Sequence, residues 1–147
     1  MRNSFLSFIF AGWIAILLGL CIGCAGSDEF VKADLGREFS LRIGQTAQIE
    51  NEQLAIRFNG IAADSRCPRG VQCFWAGEVK CDMVVTLNGE SSNITLTQSG
   101  ADQSSEATYQ EYRFIYSVEP YPEAGKQIAA EDYRLNLTID KLPPDAD

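Results

Sequence analysis

The chain has 147 residues, with 12 Lys plus Arg against 20 Asp plus Glu, no His and 46% hydrophobic side chains, which places it with single-domain globular proteins and outside the disordered and fibrous classes. A formal charge of −8 argues against nucleic acid, whose phosphates demand a basic patch. Without an imidazole, Ser-His-Asp and Cys-His nucleophile activation are excluded, as are zinc sites other than all-Cys ones, and the five cysteines show no paired C-x2-C spacing.

Residues 1–23 read as a lipoprotein-type signal peptide. Arg2 supplies the positive end, Asn3 and Ser4 follow, and an apolar stretch runs from Phe5 to Leu20. The closing Cys21-Ile22-Gly23-Cys24 resembles the bacterial lipobox, although Cys21 stands where Leu is usual. The resemblance implies that Cys24 is diacylated on sulfur and, after cleavage, becomes the first residue. A diacylglycerol and an amide-linked chain together meet the two-signal requirement for stable anchoring. Two other outcomes stay open. Phe5 to Gly23 approaches the roughly 20 residues that span a bilayer, and ordinary cleavage near Cys24 to Gly26 would release the domain. Residues 24–36, small and charged, read as a tether.

From residue 37 to residue 142 the apolar period is two, so a β domain is expected. Phe39, Leu41 and Ile43 form the first row, and Leu54, Ile56 and Phe58 the second. Val79, Cys81, Met83, Val85 and Leu87 form the third, then Ile94 and Leu96. Tyr112, Phe114, Tyr116 and Val118 follow, and Tyr133, Leu135, Leu137 and Ile139 close the series. Asn88-Gly89 is the strongest hairpin signal, Gln98 to Glu106 reads as a polar loop, and Gln127 to Asp132 as at most one helical turn. About seven strands without a helical crossover predict an all-β fold, an antiparallel β-sandwich (Ig-like) or a small β-barrel. Residues 143–147 form an acidic tail.

The distinctive segment is Asp64-Ser65-Arg66-Cys67-Pro68-Arg69-Gly70-Val71-Gln72-Cys73-Phe74-Trp75-Ala76-Gly77-Glu78. In an oxidising compartment Cys67 and Cys73 are spaced to close a short loop, with Pro68 and Gly70 supplying the bend, and a disulfide between them is expected. Trp75 would then cover the sulfurs. Cys81, on an apolar row, reads as a buried and inert thiol. Arg66, Arg69, Phe74 and Trp75 are the candidate binding residues, aromatic anchors in a mixed-charge surface. The structural alternative has Asp64 capping the turn, Arg66 paired with Asp64 or Glu78, and Trp75 in the core. An Asp64 and Glu78 carboxylate pair of glycosidase type has no support beyond a chance spacing.

The same segment resembles a family of small bacterial envelope proteins, many with lipoprotein leaders, that carry D-S-R-C-P-x-x-V-x-C-x-W-A-G between two strands. Looser similarity covers Phe39 to Gln45, Leu54 to Phe58 and Val118 to Pro122 with its following strand. The resemblance implies a β domain in the periplasm or at the cell surface. It brings no activity and no catalytic residues, and Cys81 lies outside its pattern.

The function expected from these readings is that of a non-enzymatic cell-envelope lipoprotein, a structural or protein-interaction β module. It would be exported, attached to the membrane through lipid on Cys24, and monomeric. An envelope protein is its expected partner, with no cofactor, metal or nucleic acid. A secreted protease-inhibitor-like domain presenting Arg66 or Arg69 is one alternative. A thiol-disulfide redox protein using Cys67 and Cys73, with Cys81 resolving, is another.

Overall fold

A computed structural model describes residues 30–143. The leader, Cys24, the first part of the tether and residues 144–147 lie outside the described residues. Nine strands form two sheets packed face to face: β1 (Phe30–Ala33), β2 (Phe39–Arg42), β3 (Thr46–Ile49), β4 (Leu54–Asp64), β5 (Glu78–Leu87), β6 (Glu90–Ser99), β7 (Ser105–Tyr109), β8 (Tyr112–Glu119) and β9 (Arg134–Lys141). One sheet has the order β1-β3-β4-β5-β6 and the other β2-β9-β8-β7. This is a β-sandwich and not a closed barrel.

Alternation explains the layers. Val79, Cys81, Met83 and Val85 of β5 face Phe114, Tyr116, Leu135 and Leu137 of the second sheet's inner face, all buried. Nineteen apolar side chains make one continuous core, and a one-residue slip in any long strand would turn its apolar row out to water. Leu87, expected on the inner row, is only half-buried at the strand end.

Asn88 and Gly89 are the two turn residues between β5 and β6, both at positive φ (53° and 86°). This is the geometry that the right-handed twist of paired strands favours. Near the chain's other end, a single 3-10 turn at Ala130–Asp132 occupies the expected helical position.

Three strands escaped the periodicity. Phe30–Ala33, assigned to the tether, pairs in parallel with β3; β3 itself shows only two buried apolar residues, Ala47 and Ile49. Ser105–Tyr109 pairs with β8 at the edge of its sheet. Strands of only four or five residues carry too little apolar pattern to be read from sequence. Gln98, placed in the polar loop, is instead a buried residue of β6. Its amide donates to the Asp102 and Gln103 carbonyls (both 3.1 Å) and its oxygen accepts from Val118 N–H (2.8 Å).

Each end of the sandwich carries a polar clamp between sheets. At the Asn88 end, Tyr112 donates to Glu52 Oε2 (2.7 Å), and Lys141 Nζ bonds both Glu52 oxygens (3.1 and 2.9 Å). The opposite end is built by the cysteine segment.

Candidate functional site: the cysteine loop

Residues 65–77 extend the β4–β5 hairpin beyond the sandwich. The two limbs of the loop are laced together at its base: Ser65 N–H donates to Glu78 O and Cys67 N–H to Ala76 O, both at 2.8 Å. Gly77 is required there. A Cβ on it would stand 1.8 Å from Ser65 O, and its φ is +71°. Gly100, from the neighbouring turn, is equally crowded, with a Cβ falling 2.2 Å from Ala76 O.

Arg66 is the keystone of this end, 4% exposed. Its Nε and Nη2 donate to the two carboxylate oxygens of Asp64 (2.9 and 2.6 Å), and the Arg66 backbone N–H donates to Oδ1 (3.2 Å). Nη1 crosses to the Val118 carbonyl (2.7 Å) and Nη2 to that of Pro120 (3.0 Å). The fork geometry of a guanidinium suits it to join a carboxylate on one sheet to main-chain carbonyls on the other. Tyr133 completes the set by donating to Asp64 Oδ2 (3.0 Å). Burial pushes the Asp64 carboxyl up, but the Arg66 hydrogen bonds, the Arg66 charge and the Tyr133 hydroxyl outweigh it and hold Asp64 below the ordinary aspartate range.

The Cys67–Cys73 disulfide is present, with Cα atoms 5.9 Å apart. The loop it closes is also tied to the 120–125 segment, where Arg69 N–H donates to Pro122 O (2.9 Å) and Ala124 N–H to Arg69 O (3.0 Å). The guanidinium carbons of Arg66 and Arg69 lie 5.2 and 5.1 Å from the centre of the Tyr121 ring, a cation–π arrangement on one aromatic. The Tyr121 hydroxyl in turn donates to Gly100 O (2.9 Å).

Above this fixed base, Arg69 to Trp75 are all exposed. Phe74 is 99% and Trp75 75% exposed, and their rings meet edge to face at 6.0 Å. This corrects two expectations. Trp75 is not core, since three quarters of it is open to solvent and Cys73 beside it is itself exposed. Arg66 does not belong to a recognition surface, because its guanidinium is consumed by the clamp; of the two arginines, Arg69 remains outside. Arg66 chose Asp64 over Glu78, whose carboxylate pairs with Lys80 (2.9 Å). Asp64 and Glu78 are therefore engaged with separate cations rather than poised over a shared substrate.

Cys81 is fully buried, free, and adjacent to the Leu96 carbonyl (3.7 Å). Burial, then the charge of Asp82, pushes its thiol up to about 12, so no thiolate is available to attack the disulfide. Among the described residues, no group of three or more His, Cys, Asp or Glu side chains is placed to hold a metal ion. Beside the loop lies an open, polar cleft of about 690 Å³ whose lining includes Arg66, Gln98, Asp102 and Tyr121. Its two buried polar groups, Arg66 and Gln98, are both hydrogen-bonded within the fold, so that lining serves the sandwich.

Tyr121, Tyr133, Gln98 and Gly100 were not singled out by the sequence. Only Tyr121 carried a local signal, its place between Pro120 and Pro122. The others become partners of the loop through strand order. No family model, no curated protein and no solved structure matches this chain.

Proposed function

We propose that this chain is a non-enzymatic cell-envelope lipoprotein, exported and held at the membrane by lipid on Cys24, whose β-sandwich acts by contact through the cysteine loop. One observation carries the reading: two large aromatic side chains, Phe74 and Trp75, stand in solvent on a loop fixed by a disulfide, a buried arginine clamp and a tightly packed glycine. Exposing such side chains forgoes their burial, roughly 1.5–3 kcal/mol for a side chain the size of Phe. A rigid support also reduces the entropy lost when a surface is engaged. The leader supports export, and the disulfide suits an oxidising compartment.

A photoreactive amino acid at position 74 in the full chain tests the reading in intact cells. A discrete adduct, to protein or to lipid, supports it; reaction with water alone overturns it. The stiff loop with a fully exposed Phe74 also favours a second reading, a protease-inhibitor-like domain. Stoichiometric inhibition of any member of a panel of secreted proteases, lost in Phe74→Ser, would select that one.

A further inference from the structure

We propose that the occupant of the loop tip is the membrane itself, Phe74 and Trp75 seating in the headgroup layer of the bilayer that holds Cys24. This rests on the reading that Cys24 carries lipid.

The direction of β1 is the first observation. Phe30 stands opposite Thr46, and Thr46 opposite Arg57. Because β1 runs parallel to β3 and β3 antiparallel to β4, the chain enters β1 from the side of the molecule at which β4 ends in the cysteine loop. The entry to β1 at Phe30 and the cysteine loop therefore lie at the same end of the sandwich.

Length is the second. From the level of Phe30 and Arg57 to Asp64 at the loop base, β4 uses seven residue steps and β5, from Val84 to Val79, five, a height of about 17–23 Å at the strand rise. The chain from Cys24 to Phe30 has six residue steps, which reach at most about 20–22 Å fully extended. Even a taut tether thus brings an upright domain's loop base level with the membrane surface, and residues 67–76 project beyond that base.

Composition is the third. Residues 67–77 contain Val71, Phe74 and Trp75, all exposed, and a single charge, Arg69, on a domain whose net charge is acidic. Tryptophan and phenylalanine with one cation suit the interfacial layer, whereas the rest of the surface would be repelled by anionic lipid. Insertion of the tip would hold the sandwich upright and leave its edge strands, β1, β6, β2 and β7, facing sideways.

Trp13 lies in the leader, so with Trp13→Phe the full chain has Trp75 as its one indole. The acylated chain is reconstituted into phosphatidylcholine vesicles, with and without phosphatidylglycerol and with brominated acyl chains. Expected are quenching of Trp75 by the bromolipid, shielding from acrylamide without any need for anionic lipid, and loss of both in Phe74→Ser. Protein that floats with the vesicles while Trp75 stays open to acrylamide and untouched by bromolipid overturns the insertion and leaves the lipoprotein reading intact. Shielding found only in native membranes, and absent in pure lipid, assigns the tip to a protein and also overturns it. A chain that does not float, or floats equally well as Cys24→Ser, overturns the lipoprotein reading and this inference with it.

Discussion

Arg66 and Asp64 stand two residues apart and meet as a two-pronged pair, Nε to Oδ1 at 2.9 Å and Nη2 to Oδ2 at 2.6 Å, while Nη1 of the same guanidinium reaches the opposite sheet at Val118 O, 2.7 Å away. One side chain thus links the end of β4, the cysteine loop and the end of β8. Removing it deprives the Val118 and Pro120 carbonyls of a donor and leaves the Asp64 carboxylate without a cation, held only by Tyr133 and the residue-66 backbone N–H. Arg66→Met is expected to lower stability by about 3 kcal/mol, the low end of the range for breaking a buried pair, because Asp64 keeps some contact with solvent. Urea denaturation checks this, and Asp64→Asn combined with Arg66→Met should cost less than the sum of the two.

The pH dependence follows from the same pair. The folded Asp64 carboxyl titrates below its ordinary value of 3.8. Its contribution to stability is therefore complete above that value and is lost as pH falls through the lowered folded one. As pH falls below the ordinary 3.8 the wild type should lose stability more steeply than Asp64→Asn, a difference that thermal melts over the acid range would record. Parallel acid limbs in the two proteins would mean that Asp64 is not the group responsible.

Gly77 and Gly44 share a positive φ, +71° and +87°, but differ in surroundings. An added Cβ meets Ser65 O at 1.8 Å in the first case and open space in the second. Gly44→Ala should cost about 1–2 kcal/mol, the backbone penalty alone. For Gly77→Ala the loop base must also separate, so its loss should exceed that of Gly44→Ala and be accompanied by faster cleavage of the 69–75 segment under limited proteolysis.

The disulfide closes a short loop. Chain-entropy estimates give roughly 2 kcal/mol for a ring of this size, less than for longer loops. Replacing both Cys67 and Cys73 by Ser should lower stability by about that amount and leave the strand signal in circular dichroism unchanged. Cleavage near Phe74 should increase, because the clamp at Arg66 holds the base of the loop and not its tip.

Cys81 should be silent in the native state. With its sulfur buried and its thiol pushed up to about 12, from an ordinary 9.0, reaction with a thiol reagent at mild alkaline pH should proceed only through unfolding. The rate should then track denaturant concentration. Because the folded value is the higher one, Cys81 favours the folded state fully below pH 9.0 and loses that contribution as pH rises toward 12. Cys81→Ala should make the alkaline limb shallower, the remainder coming from Tyr112, Tyr116 and Tyr133, whose hydroxyls burial also pushes up.

Strand identity was legible in the sequence wherever a strand had one dry face and enough length to show it. The rows through Val79, Met83, Phe114 and Leu137 are core because alternation leaves an apolar row no other place to go. The turn at Asn88-Gly89 and the bridge between Cys67 and Cys73 were also local facts, set by backbone chemistry and spacing over a few residues. The short strands Phe30–Ala33, Thr46–Ile49 and Ser105–Tyr109 were not, because pairing with a neighbour, rather than their own pattern, makes them strands.

Tertiary structure alone decided which residues of the cysteine segment build and which are displayed. Arg66 and Trp75 looked interchangeable as candidates. Arg66 turns inward because two carbonyls more than fifty residues away, at Val118 and Pro120, converge with Asp64 on its guanidinium. Trp75 stands outward, 75% exposed, on a loop whose limbs are joined by the Cys67–Cys73 disulfide and whose base is packed at Gly77 against Ser65. Hydrogen-bond partners brought together by strand order leave no trace in local sequence, so burial of a charge and exposure of an aromatic ring are properties of the assembled sandwich.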